Sequence, residues 1–88
     1  PEIVEQGNGK FLLSGMAPLD DIEDALDIEF DEEDKSNFDT LNGFLISRLG
    51  HLPQKDENAQ VDFDGYRFSI QKVENKTIQS VAAVKLGA

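Results

Sequence analysis

Apolar and polar residues alternate with a period of two near both ends of the chain, whereas the middle third changes to helical spacing. The alternating runs 3–6 and 10–13 flank Gly7-Asn8-Gly9, whose residues tolerate positive φ and suit a hairpin turn. Asp64-Gly65 and Asn75-Lys76 mark two further turns between alternating runs near the other end. The pattern predicts strands at both ends of the chain, joined by tight turns.

The middle of the chain opens with a predicted first helix. Leu19, Ile22 and Leu26 recur at helical spacing. Asp20 is expected to be its N-cap, with Glu23 three residues later as the reciprocal partner of a capping box. The strongly acidic stretch 31–37 is predicted to be a polar loop.

A second helix is predicted after this loop, capped by Asp39 or Thr40 and stopped by Gly50 in a left-handed conformation. Arg48 is expected to face solvent. Gly43 within this helix indicates a close approach between helix and sheet, because glycine is otherwise unfavourable there. The apolar stripe that would face the core consists of Leu41, Phe44, Leu45 and Leu49.

The last strand is apolar on both faces. An alternation read from Ile78 places one set of residues inward, namely Ile78, Ala82, Val84 and Leu86, and leaves Val81 and Ala83 on the other face. The order is then ββααβββ, which is α+β: a mostly antiparallel five-stranded sheet with two helices on one face. Eighty-eight residues suffice for one core, so residues 1–88 are expected to form a single domain.

Negative charge is concentrated in one half of the chain. Residues 1–44 carry 13 acidic residues and two lysines, and ten of the acids lie in the segment 20–34, the acidic belt. Such a field repels phosphates, so nucleic acid and anionic membrane surfaces are excluded as partners. The longest apolar runs fall far short of the ~20 residues that cross a bilayer. The chain has no cysteine, which fits a reducing cytoplasm and removes thiolate metal sites.

The acidic belt has two interpretations. Oxygen ligands suit hard cations such as magnesium or calcium, and a loop folded back over the first helix would bring several carboxylates together. A site of this loose kind would bind with dissociation constants on the order of 10⁻⁴ to 10⁻³ M. The alternative is a solvated surface that keeps the domain soluble and monomeric. The candidate metal ligands are Asp20, Asp21, Asp24, Asp31, Glu32, Glu33 and Asp34.

Catalytic chemistry has little support in the sequence. His51 is the single histidine, so triad and transition-metal constellations are missing, and its position in a loop favours a surface role. A flavin or nucleotide site would need a glycine-rich turn that leads into a helix. Gly7-Asn8-Gly9 leads into a strand instead, and the acids that open the first helix would repel a phosphate. An enzyme is therefore not expected.

An ordered series of short motifs resembles a known family. The series is T-L-x-G-x-L at 40–45, L-G-x-x-P at 49–53 and F-x-G-x-x-F at 63–68, preceded by Gly15 and Leu19-Asp20-Asp21-Ile22 and followed by Ile78. These residues resemble the CorC/HlyC transporter-associated domain over nearly the whole chain. The chain departs from the family pattern after Pro53, where Lys55-Asp56-Glu57 replaces a glycine followed by an acidic residue.

The resemblance implies a role at a transporter. Members of the family form a C-terminal cytoplasmic module after paired CBS domains, often below a transmembrane domain, in magnesium and cobalt efflux proteins and hemolysin-like proteins. Some cation/proton antiporters end in the same module. Its fold is similar to part of the flavin adenine dinucleotide (FAD) domain of vanillyl-alcohol-oxidase-type enzymes, although a shared fold does not establish flavin binding.

Three functions follow as hypotheses. The first is a non-catalytic domain of an inner or plasma membrane protein that docks on the CBS or transmembrane regions, or on a second copy, through a strand edge or the apolar last strand. The second is a divalent-cation sensor that uses the acidic belt, and the third is FAD binding by fold analogy. Phe30 and Phe38, at the borders of the acidic loop, are expected to be core residues rather than exposed anchors.

Overall fold

Two groups of antiparallel strands join along one seam to form the sheet. A computed structural model describes residues 1–87 and contains five strands and three helices in that range. The strand order is β1-β2-β5-β4-β3, and every neighbouring pair is antiparallel. The predicted α+β class and five-stranded antiparallel sheet are confirmed. In chain order the elements are β1 (Ile3–Gly7), β2 (Lys10–Ser14), α1 (Leu19–Leu26), α2 (Glu32–Asn37), α3 (Leu41–Leu49), β3 (Gln60–Phe63), β4 (Tyr66–Glu74) and β5 (Thr77–Lys85).

The hairpin turns lie where the sequence predicts them. Asn8-Gly9, Asp64-Gly65 and Asn75-Lys76 each connect paired strands, and both residues of each turn have positive φ. Two consecutive left-handed residues match the right-handed twist of the flanking strands. Asn75-Lys76 adopts this geometry without a glycine, with φ values of 55° and 61°.

One face of the sheet carries the core. Helix α1 buries Leu19, Ile22 and Leu26 against it, as its spacing predicts, and α3 buries Leu41, Phe44 and Leu45. The helices therefore cover one face and leave the other open. Phe30 is 2% exposed and belongs to the core, as predicted, while Phe38 is half-buried and packs against it. The sheet contributes Phe11, Leu13, Val61, Tyr66, Phe68, Ile78, Val81 and Ala83.

The inward face of β5 differs from the prediction. Val81 and Ala83 are fully buried, whereas Val84 and Leu86 are 41% and 38% exposed. The pairing of β4 with β5 runs from Ile70↔Val81 to Lys72↔Ser80 and then to Val73↔Ile78, which leaves out one residue of each strand. Such a bulge shifts the alternation by one residue. Ile78 and Val81 consequently face the same core although three positions separate them.

Asn42 and Gly15 hold this irregularity in place. The Asn42 side-chain Oδ1 accepts a hydrogen bond of 2.8 Å from the Ile78 amide, and the Asn42 amide donates to the Gly15 carbonyl at 2.7 Å. The Gly15 amide donates to the Gln79 carbonyl at 3.0 Å. A Cβ atom on Gly15 would lie 1.8 Å from the Ile78 carbonyl oxygen, so only glycine fits. We refer to this contact as the Gly15–Asn42–Ile78 junction.

The helix ends confirm one predicted cap and correct another. The Thr40 side chain accepts from the Gly43 amide at the start of α3, and Gly50 ends that helix at φ 83°. At α1 the N-cap is Pro18 rather than Asp20. The helix starts two residues earlier than predicted, because Pro18 has the extended φ and ψ of a cap and its carbonyl accepts from the Ile22 amide.

Helix α2 replaces the predicted polar loop at 31–37. Glu32, Glu33 and Asp34 occupy its first turn and Lys35 its last, and this charge order is favourable for a helix dipole. The expected contact of Gly43 with the sheet is also wrong. A Cβ atom there would lie 3.1 Å from a ring carbon of Phe38, the residue that follows α2.

Two glycine substitutions test the junction. Gly15→Ala should lower the free energy of unfolding by about 3 kcal/mol, because the new methyl group meets a backbone carbonyl that cannot move independently. Gly43→Ala is the control: the Phe38 ring can shift, and alanine gains about 1 kcal/mol of helix propensity, so its stability should stay within about 1 kcal/mol of wild type. Urea unfolding measures both. Equal losses in the two variants would contradict the assigned role of Gly15.

Candidate functional site

The acidic belt forms the outer surface of the helical layer. Because Leu19, Ile22 and Leu26 face the core, the remaining positions of α1 face outward, and Asp20, Asp21 and Asp24 are exposed. The belt continues through the segment 27–31 into α2 and lies on the side of the molecule away from the open face of the sheet.

Lys35 of α2 reaches back to α1. Its Nζ lies 3.0 Å from Asp20 Oδ1 and 3.0 Å from Glu23 Oε1. Two hydrogen bonds raise the pKa of Lys35 above its ordinary value of 10.5, and the one to Asp20 contributes more than the one to Glu23. Lys35 is also the single basic residue between Lys10 and Arg48 in the sequence. The belt therefore surrounds an ammonium group supplied by the chain itself.

Glu23 joins three segments. One carboxylate oxygen binds Lys35, and the other accepts a hydrogen bond of 2.7 Å from the Phe30 amide. The Glu23 side chain is only 15% exposed. It thus fixes the segment between α1 and α2 instead of closing the predicted capping box. The turn residue Asp64 fixes the same segment from the sheet side, through a 2.9 Å hydrogen bond from the Glu29 amide.

Arg48 is the second cation of the helical layer. Its guanidinium lies 3.2 Å from Asp34 Oδ2 and 5.1 Å from the ring centroids of both Phe44 and Phe63. The side chain is 41% exposed, so it reaches solvent as predicted, but it also packs on the two rings. Cation–π contacts of this kind are compatible with a simultaneous ion pair. Phe30 completes the aromatic cluster, with its ring stacked 5.1 Å from that of Phe63.

Helix α2 has no buried residue of its own. Phe30 and Phe38, which flank it, lie in or pack against the core. Within residues 1–87, the side-chain ion pairs of α2 with other elements are those of Lys35 with Asp20 and Glu23 and that of Asp34 with Arg48. We call these contacts the α2 latch. Surface ion pairs weaken as salt screens them, so we expect the latch to weaken as the salt concentration rises.

The predicted metal ligands divide into two groups. Asp20 and Asp34 are engaged in the latch, whereas five others face solvent: Asp21, Asp24, Asp31, Glu32 and Glu33. Across residues 1–87, no group of three or more acidic or histidine side chains converges in a way that could hold a metal ion. Helix α2 contacts α1 through Lys35, so an ammonium group occupies the point where carboxylates of the two helices would have to converge on a metal ion. Metal binding stays a prediction.

The loop after α3 contains the single histidine. His51 Nδ1 lies 3.2 Å from the Leu49 carbonyl oxygen, and Nε2 contacts a carboxylate oxygen of Glu57, whose other oxygen accepts from the Gln54 amide. Both ring nitrogens thus face acceptors, which favours the doubly protonated ring. The pKa of His51 is raised, chiefly by Glu57, and the pKa of Glu57 is lowered, chiefly by His51. Glu57 lies in the stretch that departs from the family pattern.

The sequence match covers almost all of the chain. Residues 4–87 match the family described as the transporter associated domain, CorC_HlyC. The chain belongs to this family. The resemblance drawn from the ordered motifs is thereby confirmed.

Curated relatives of this transporter associated domain are much longer proteins. A UPF0053 protein of Synechocystis sp. is 34% identical and matches 76% of this chain and 17% of its own length. The polyamine export protein of Salmonella typhimurium is 30% identical over 97% of this chain and 18% of its own length. The magnesium and cobalt efflux protein CorC of the same species is 30% identical over 78% of this chain and 22% of its own length. The chain spans less than a quarter of each.

Solved structures share the fold. A transporter associated domain of a Xylella fastidiosa hemolysin, solved in complex with Mg²⁺ and Mn²⁺, has a TM-score of 0.82 and 25% identity, with coverage of 99% of this chain and all of that one. The corresponding domain of a CBS domain protein from Porphyromonas gingivalis has a TM-score of 0.79 at 20% identity, with 99% and 100% coverage, which shows the fold alone. Within residues 1–87, no helix has the length and apolarity to cross a membrane.

The latch makes a prediction about α2. Lys35→Gln should raise amide hydrogen exchange across 31–37 at least about twofold, because the variant loses the ion pairs that attach α2 to α1. Raising the salt concentration should do the same in the wild type. Lys55→Gln is the matched control, since Lys55 is an exposed lysine for which no ion pair is found within residues 1–87. Unchanged exchange in Lys35→Gln would contradict the latch.

The His51–Glu57 pair makes a prediction about pH. A raised pKa of His51 means that its stabilising contribution is complete below the ordinary value of 6.5 and is lost as the pH rises through the folded-state pKa. Glu57 behaves oppositely and contributes above its ordinary value of 4.5. Wild type should therefore unfold at a higher temperature than His51→Gln near pH 5.5, and the difference should disappear by about pH 9. A difference that does not change with pH would rule out the ionic pair.

Proposed function

We propose that this transporter associated domain is a non-catalytic regulatory and docking module of a larger cation-transport protein, on the cytoplasmic side of the membrane. The observation that carries the proposal is the match of residues 4–87 to the family, together with relatives that are an export protein and an efflux protein. In those relatives the matching region is about a fifth of the protein. A neighbouring CBS region, a transmembrane region or a second copy of the domain would be the docking partner.

The regulated transporter is proposed to move magnesium or cobalt, in line with the efflux relative CorC. The polyamine export protein is the other relevant relative, and it matches a larger share of this chain. Both classes of cargo are polycations or divalent cations, so a domain with a net charge of −10 is suited to respond to either.

The finer proposal is that the acidic belt senses such a cation through the α2 latch. A divalent cation attracted to the belt competes with Lys35 for Asp20 and Glu23 and thereby changes the attachment of α2. Two observations favour this: the Xylella domain of the same fold was solved with Mg²⁺ and Mn²⁺, and the belt of this chain already binds a cationic side chain at 3.0 Å. Flavin adenine dinucleotide remains a third, weaker candidate on fold analogy alone.

Thermal unfolding with a panel of ligands tests the sensing proposal. The panel is about 10 mM MgCl₂, CaCl₂ or spermidine, and separately about 1 mM FAD. Each ligand is compared with NaCl of equal ionic strength, because general screening also stabilises so acidic a chain. A cation at a hundred times its dissociation constant adds about 2.7 kcal/mol of stability, a shift of several degrees for a domain of this size.

Paired variants identify the site. Asp20→Asn with Glu23→Gln should abolish the cation-specific shift, because these are the two carboxylates that the cation is proposed to take from Lys35. Glu2→Gln with Asp56→Asn removes the same charge outside the belt and should retain the shift. Shifts are compared rather than absolute melting temperatures, since the belt substitutions also remove the ion pairs with Lys35. Responses no larger than that of matched NaCl would eliminate cation sensing and leave docking as the proposed role. A specific FAD shift would favour the third candidate.

The docking role has its own test. The domain should bind the remaining cytoplasmic region of its parent protein, and deletion of residues 1–88 should alter the transport rate or its regulation in membrane vesicles. A parent protein whose transport and assembly are unchanged without the domain would overturn the regulatory and docking role.

A further inference from the structure

The face of the sheet opposite the helices carries a continuous apolar strip. Val4 on β1 pairs with Leu12 on β2, and Leu12 pairs with Ala82 on β5. Val84 lies two residues beyond Ala82 on the same face, because Ala83 between them points into the core. Val4, Leu12 and Val84 are 41%, 40% and 41% exposed, while Ala82, which faces the same side, is 8% exposed. These four residues form the open-face strip, which crosses three neighbouring strands.

The strip results from the bulge in β5. A regular alternation from Ile78 would have turned Val84 and Ala82 toward the helices, whereas the shifted register turns them outward, next to Leu12. Scattered apolar residues are ordinary on a protein surface, but in-register neighbours on adjacent strands form one contiguous patch.

The charges around the strip are nearly balanced. Arg67 forms two hydrogen bonds with Asp62, of 2.9 and 3.0 Å, and Lys72 lies 3.9 Å from Glu74. Lys10, beside Val84 in the pairing of β2 with β5, adds a positive charge. The ten acids of the belt lie in the helical layer on the opposite side. The open face therefore carries little net charge, in contrast to the acidic helical layer.

We infer that the open-face strip is an interface between two copies of this domain. The inference deepens the docking role proposed above by naming its surface and partner. Two chains that each carry a net charge of −10 repel one another in most orientations. Contact through the open faces buries the strips and places the two acidic helical layers on opposite outer sides of the pair.

The geometry fits face-to-face packing of two sheets related by a twofold axis. Stacked sheets lie about 10 Å apart with strands about 30° from parallel, and in a twofold interface the same residues meet from both sides. Leu12 lies on the middle strand of the strip and would contact the partner's strip near its centre. A strip three strands wide is small, so the dissociation constant should be on the order of 10⁻⁵ to 10⁻³ M.

Salt distinguishes this interface from a complex held by ion pairs. Screening reduces the repulsion between the two acidic chains but leaves apolar contact intact, so association should strengthen as NaCl rises. The α2 latch responds in the opposite direction, since its contacts weaken with salt. The two effects can be separated in one titration.

Sedimentation velocity of the 88-residue chain between about 10 µM and 1 mM, at 0.05 and 0.5 M NaCl, tests the inference. Wild type should form dimers in the upper part of this range, and more of them at high salt. Leu12→Lys should remain monomeric, because a lysine at the centre of the strip would be buried unpaired. Met16→Lys is the matched control, because it changes the net charge by the same amount as Leu12→Lys. Met16 is 46% exposed and lies in the connection from β2 to α1, outside the strip.

The outcomes separate the interface from the broader proposal. A wild type that is monomeric at about 1 mM in 0.5 M NaCl, or an equal loss of dimer in both variants, overturns the inference. Binding to the parent's remaining cytoplasmic region would still support docking in that case. Circular dichroism checks that Leu12→Lys is folded, and Val84→Lys, at another exposed position of the strip, replaces it if it is not.

Discussion

The hydrogen bond from the Ile78 amide to the Asn42 side chain fixes how the last strand meets the helices. It joins α3 to β5, and it does so at the point where the pairing of β4 with β5 skips a residue on each strand. Gly15 permits the close approach, because any side chain there would overlap the Ile78 carbonyl. From this contact follow the burial of Val81 and Ala83, the outward position of Val84 and the apolar character of the open face.

The same contact marks the limit of what the sequence could predict about the fold. Turns such as Asn8-Gly9 and Asp64-Gly65 are determined by local backbone preferences, and the apolar spacing of α1 and α3 reports directly which side faces the core. The bulge is different, since it depends on an asparagine 36 residues away from the amide that it binds. An alternation with a period of two, read from the sequence, cannot detect the bulge. It therefore assigns the residues of β5 that follow Ile78 to the wrong face of the sheet.

The acidic belt was predictable as a concentration of charge but not as an arrangement. Its carboxylates are visible in the sequence, whereas their cations come from elsewhere: Lys35 lies 12 residues from Glu23, and Arg48 lies 14 residues from Asp34. In the sequence, this arrangement was indicated by one feature, namely that Lys35 is the single basic residue among the acids of this region. Helix α2 was missed for a related reason, because it has no buried face and therefore shows no apolar periodicity. The domain consequently presents two unlike surfaces, one dominated by charge and one nearly neutral and apolar.

The strand order also determines how this chain reaches its folded state. The β1–β2 hairpin and the β3–β4–β5 meander consist of contacts between residues close in sequence, and each can form early. Only the β2–β5 seam joins them, and it pairs Phe11 with Ala83, about 70 residues apart. Gly15 and Asn42 join the helical layer to this seam. Because closing the seam carries the largest loop-closure entropy in the sheet, we expect it to form last, and until then the two sheet fragments would expose their unpaired edges to other chains.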